Sequence, residues 1–164
     1  MKLTAFDHEG GIFLGAVSGD QVTPIAPRES FWAEGAKARP QGGALPLERV
    51  TQRPAIPAGA RVICIGLNYK NHAEEGGGQA PADPVVFARW SATLIADGEA
   101  APAIEPRFDW EGELGVVIGK AMFRVPAEAA MAGVFGYCAF NDLSARTFQR
   151  ASPQWTMGKN GELS

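Results

Sequence analysis

The chain has 164 residues, of which 46% are hydrophobic and 20% charged, and its formal net charge is -3. That length and composition belong to a globular protein with enough chain for one domain and perhaps a small appendage, which excludes a disordered tail. Its basic residues are scattered, which excludes the concentrated positive footprint of a nucleic-acid binder and leaves small-molecule chemistry as the expectation.

Residues 2 to 25, "KLTAFDHEGGIFLGAVSGDQVTPI", break at "DHEGG" and "SGD" between short β-prone runs, a pattern that predicts a three-stranded meander with His8 in the first turn. From Pro27 to about Ala60 the chain is rich in Pro, Gly and Ala, the composition of a connector carrying a short helix or two. A small N-terminal domain with its connector is therefore expected over 1–60, and a second unit over 61–164.

That second unit opens with "RVICIGLNY", an apolar run of strand length. In "NHAEE", Asn71 is a candidate N-cap, which puts His72 and Glu75 three apart on one face of a first helical turn. "PVVFARW" and "GELGVVIGKAMF" are further strands, "EAAMAGVFGYCAF" reads as a short helix passing into a strand, and "DLSARTFQR" predicts a helical turn starting at Asp142. No G-x-G-x-x-G follows the first of these strands, which argues against a dinucleotide-binding unit. Cys64 and Cys138 lie in apolar runs and are expected as buried free thiols. Neither a signal-peptide core nor the roughly 20 apolar residues of a membrane span is present, so a cytoplasmic protein is expected.

The chemistry concentrates in "FDWEGELGVVIG". Alternation along a strand would point Asp109, Glu111 and Glu113 the same way as Gly115 and Val117, with Trp110 and Leu114 opposite. Like charges so placed repel, and a hard divalent cation reverses the sign: Mg²⁺ accepts carboxylate oxygens and keeps several waters. A solvated strand edge paired with Arg107 and Lys120 fits the spacing equally well. Asp142, in "FNDLSAR", is either a further ligand or simply a helix cap. His72 with Glu75 has the make-up of a general base oriented by a carboxylate, while Lys159, Arg146 and Gln149 complete the polar candidates.

The segments "VICIGLNYKNHAEE", "PVVFARWSATLI", "DWEGELGVVIGKA", "GYCAFNDLSARTFQ" and "QWTMGKN" together resemble the fumarylacetoacetate hydrolase family, in its order and approximate spacing. The leading "MKLTAFDHEGGIFLGAV" is similar to the small N-terminal domain of its bacterial members. The resemblance implies a β-rich α+β fold, a mixed β-sheet roll preceded by a small β-meander domain. It implies Mg²⁺ or Mn²⁺ held by Glu111, Glu113 and Asp142, with Asp109 a neighbour. Catalytic roles fall to His72, Glu75 and Lys159, and substrate contacts to Gln149 and Arg146.

The implied reaction is hydrolysis of a carbon-carbon bond in a β-diketo acid, an acylpyruvate or fumarylacetoacetate-like compound, by His72-activated water with the enolate stabilised by metal. Decarboxylation of an oxaloacetate-type acid, or isomerisation of a hydroxyheptadienedioate, would use the same chelated keto acid. A non-catalytic remnant that binds metal or a partner chain, and a structural domain with a solvated acidic strand, are the rivals from other classes. A homodimer with a small keto-acid substrate, and with neither nucleic acid nor membrane as partner, is the implied assembly. Two departures stand out. Arg89 and Trp90 replace the lysine and proline that often follow "VVF-x" in the family, and after "MGKN" the C-terminal part of the catalytic domain is expected to be lacking.

Overall fold

A computed structural model describes residues 1–37, 39–69, 71 and 81–160. Glu9 and Gly10 set the first corner: both take positive φ, 47° and 78°, a two-residue turn whose twist suits a hairpin. It joins β1 (Lys2–His8) to β2 (Gly11–Ser18), and β3 (Gln21–Pro27) completes an antiparallel meander as the turn clusters predict. The short β4 (Leu45–Pro46) and β5 (Gln52–Arg53) extend it at its two edges, in the order β4-β3-β2-β1-β5. His8 closes β1 instead of lying in the turn, with its ring 5.1 Å from that of Phe13.

The chain divides into two compact units, the first comprising Met1–Ala58, Leu94–Ala101 and Gly112–Asn141. Ala5, Leu14 and Ile25 of the meander form its core with Phe31 of α1 (Arg28–Ala33), because strand alternation turns them to the face on which that helix lies. Gly15 makes room for the buried Phe6, whose ring would stand 2.6 Å from any Cβ there. This unit also holds β9 (Gly112–Ile118) paired antiparallel with β10 (Val134–Asn141). Before β10 come α2 (Ala127–Ala130) and a 3-10 turn, the predicted passage from helix to strand.

The second unit comprises Gly59–Thr93, Pro102–Glu111 and Asp142–Ser164. In it β6 (Arg61–Gly66) pairs antiparallel with β7 (Val85–Trp90), and the two-residue β8 (Phe108–Asp109) pairs with β11 (Ser144–Ala145). Two short helices follow, α3 (Arg146–Arg150) and α4 (Thr156–Lys159). The helix predicted to start at Asp142 thus starts four residues later. Glu105 satisfies its first turn, accepting the Thr147 N–H at 2.7 Å, and this frees the Asp142 carboxylate for other partners. Cys64 is buried as expected, whereas Cys138 is exposed on β10. No helix among the described residues is long and apolar enough to cross a membrane.

Candidate metal centre

Three features of the second unit bring its polar side chains together. The Asp142 N–H donates to the Glu111 carbonyl at 2.9 Å, so the two candidate ligands face each other across adjacent extended segments. Trp155 packs against Gly66 and lies 5.5 Å from Phe87, setting the start of α4 on β6 and β7. Asn160 fixes its end: Oδ1 accepts the Trp90 N–H at 2.7 Å and Nδ2 donates to the Thr156 carbonyl at 2.9 Å. Held at both ends, the helix directs Lys159 inward, 2% exposed.

The Lys159 ammonium donates to Asp142 Oδ2 at 2.6 Å and pairs with Glu111 Oε2 at 3.0 Å, with its Nζ also 5.2 Å from the centroid of the Phe87 ring. Arg146 pairs with Glu111 Oε1 at 2.5 Å, donates to Gln149 Oε1 at 3.0 Å, and holds Asp109 through Nε and Nη2 at 3.0 and 2.7 Å. Ser144, fully buried, has one hydroxyl proton to share between Glu111 Oε1 at 3.0 Å and the Asp142 carbonyl at 2.9 Å. Arg89 pairs with Asp142 Oδ1 and donates to the Leu143 carbonyl at 2.9 Å.

These contacts set the charges. Burial works against ionisation of Glu111, but the charge and hydrogen bond of Lys159, followed by those of Arg146, hold its carboxyl below the usual range. Burial likewise opposes the Arg146 charge, and Asp109 and Glu111 outweigh it, raising that group above its ordinary value. An ionised carboxylate set is what a hard cation requires. Within the second unit a carboxylate oxygen of Glu111 and one of Asp142 lie within 4.8 Å of each other, and Glu113 follows Glu111 by two residues in the sequence. Oxygen donors so spaced suit Mg²⁺ or Mn²⁺ completed by solvent.

Of the residues expected from the sequence, Glu111, Asp142, Arg146, Gln149 and Lys159 stand in one hydrogen-bonded network. His72 and Glu75 lie outside the described residues. Glu111 does not lie on a solvated edge: it meets Arg146 and Lys159, both distant in sequence. Sequence reasoning passed over Ser144 and Asn160, whose types carry no signal at those positions. It marked Arg89 as a departure from the lysine common in the family, without its contact to Asp142.

Residues 61–164 match the family described as fumarylacetoacetate (FAA) hydrolase, C-terminal. A Mycobacterium tuberculosis protein is 34% identical over 163 residues, 97% of this chain and 61% of its own length. The oxaloacetate tautomerase YisK of Bacillus subtilis is 34% identical over 157 residues, 92% of this chain and 52% of its own length. Among solved structures, 5-carboxymethyl-2-hydroxymuconate delta-isomerase from Mycobacterium smegmatis is similar with a TM-score of 0.78 at 30% identity, over 98% of this chain and 62% of that one. The chain thus spans less than two thirds of the length of the relatives it matches, with the β-rich fold of its structural neighbours. Through its match over 61–164, the chain belongs to the fumarylacetoacetate hydrolase family.

Proposed function

We propose that this chain carries the cation-binding part of an enzyme that acts on a small 2-oxo acid through its enolate, with keto-enol tautomerisation of an oxaloacetate-like acid as the reaction. The observation that carries the reading is the buried Lys159, bonded to both Asp142 and Glu111. A bound Mg²⁺ or Mn²⁺ supplies Lewis acidity at the oxo group and stabilises negative charge on its oxygen. Glu111, Glu113 and Asp142 would hold that ion. Lys159, whose stem is packed and whose ammonium is fixed from two sides, presents a proton donor beside the developing enolate. Gln149 and Arg146, linked at 3.0 Å, offer an amide and a guanidinium to the acid's carboxylate. Exchange of one proton between carbon and oxygen needs no attacking water, and the naming of a 34% identical relative as an oxaloacetate tautomerase supports this outcome.

A second reading, hydrolysis of a carbon-carbon bond in an acylpyruvate, draws on the His72-x-x-Glu75 pair in the sequence. There His72, oriented by Glu75, would take a proton from water that attacks the distal carbonyl. One pair of assays separates the two. Enol absorbance of oxaloacetate and release of pyruvate from an acylpyruvate are followed with Mg²⁺ and then with EDTA, in wild type, Lys159→Met and His72→Ala. Tautomerisation abolished by EDTA and lowered at least about 100-fold in Lys159→Met is the expected result. EDTA-sensitive pyruvate release that fails in His72→Ala would establish hydrolysis instead, and metal-independent rates in both assays would overturn the cation-dependent mechanism.

A further inference from the structure

Asp142 is 1% exposed, and both of its oxygens are already committed to cations: Oδ2 to Lys159 and Oδ1 to Arg89. A divalent ion can use this carboxylate only if one of those partners withdraws. Lys159 is the poorer candidate, since it is shared with Glu111 and enclosed beside the Phe87 ring.

Arg89 is held differently. Its two hydrogen bonds, to Asp142 Oδ1 and to the Leu143 carbonyl, leave through one nitrogen, Nη1. The fork that makes arginine a strong bidentate partner for carboxylates is therefore not used here. Its Nε, buried with the rest of a side chain only 7% exposed, has no acceptor among the described residues. A guanidinium with an unsatisfied buried N–H and a single-nitrogen grip lacks the bidentate hold that would fix it on its carboxylate. It can keep the Leu143 carbonyl while giving up Oδ1.

The charges point the same way. Among the described residues of the second unit, Asp109, Glu111 and Asp142 are paired with Arg146, Lys159 and Arg89, and Glu113 adds a fourth carboxylate to the same acidic run. Without a divalent ion these three cations offset the repulsion among the carboxylates they pair with. With one present, Arg89 is the cation whose retreat makes room for the new charge.

We propose that Arg89 is a positioning residue that sets the affinity of the cation site, acting as a resident counter-ion of Asp142 that the divalent cation displaces. The proposal rests on the cation-binding reading above. An arginine that merely holds Asp142 in place for the metal would act oppositely: its removal would loosen the ion.

The test is calorimetric titration of Mn²⁺ into the metal-free chain for wild type, Arg89→Gln, Arg89→Lys and Glu111→Gln, with melting temperatures in EDTA and in Mn²⁺. Arg89→Gln removes the competing charge, and its Kd for Mn²⁺ is expected to fall at least tenfold, 1.4 kcal/mol. Its melting temperature should drop in EDTA and gain more from Mn²⁺ than that of wild type. Arg89→Lys keeps the charge but lacks a donor pair for Oδ1 and the Leu143 carbonyl together, so its Kd should fall by less. It also gives the answer should Arg89→Gln fold only with the ion present, itself a supporting result. Unchanged or weaker Mn²⁺ binding in both Arg89 variants, while wild type binds and Glu111→Gln does not, would overturn the role of Arg89 and leave the cation site standing. Absence of Mn²⁺ binding in every variant would overturn the cation site, and the displacement with it.

Discussion

A surface salt bridge contributes little, whereas one in the interior is costly to break by removing a single partner, and this chain contains both kinds. Asp142 is buried with Lys159 and Arg89 paired to it, so removing a partner would leave an uncompensated charge in the interior. Asp7 is exposed, and its partner Arg53 lies on β5, paired beside it, with Nη2 2.7 Å from Oδ2. The hydrogen bond from Arg53 holds the Asp7 carboxyl below its ordinary value, a slight burial opposes it, and the Arg53 charge adds to the lowering. A depressed folded-state pKa contributes stability that is present above the unfolded value, about 3.9, and is lost as pH falls through the lower folded one. Asp7→Asn should therefore melt slightly below wild type at neutral pH, with the gap closing as the pH approaches about 3 and narrowing in high salt. A gap that persists under acid would assign the loss to packing.

At the scale of elements, the position of α4 decides where Lys159 points. Gly158 packs against α3: a Cβ there would fall on the Gln149 backbone and 2.6 Å from the Ala145 carbonyl. Backbone cannot move aside as a flexible side chain can, so Gly158→Ala should push the two helices apart at a cost of about 1–3 kcal/mol. Urea unfolding in EDTA measures it, and an unchanged midpoint would show that α4 is not seated as described. The strands were legible because their side chains alternate. β1 to β3 follow from turn residues between apolar runs, and along β9 the residues at 113, 115 and 117 are the less exposed, the face to which Glu113 was assigned. The partners of the carboxylates were not legible. Asp142 reads as a helix cap because Asp favours caps, and only the fold supplies Glu105 to α3 and brings Arg89 and Lys159 to Asp142 from other elements. His-x-x-Glu was equally legible as a motif, at His72 and Glu75, which lie outside the described residues.

For the whole molecule, the same alternation has a consequence on the opposite face of β9. With Glu113 on the less exposed side, Leu114, Val116 and Ile118 stand on the other, 60%, 48% and 55% exposed. Tyr137, opposite Val116 on β10, is 56% exposed, so apolar side chains form a patch across two paired strands. In the second unit, Ile63 of β6 and Val86 of β7 are 57% and 61% exposed. Single exposed apolar residues are ordinary, whereas contiguous rows on a sheet mark surfaces that associate. The chain is therefore expected to self-associate with rising concentration. Replacing Leu114 and Ile118 together by lysine should shift it toward monomer in sedimentation velocity. Because both side chains are already in contact with water, the substitutions remove little burial, and the urea midpoint at low concentration should hardly move. Equal association by wild type and the double variant would exclude the β9 face and direct attention to β6 and β7. A lower midpoint for the double variant would mean that the row is covered within the chain, contrary to its exposure.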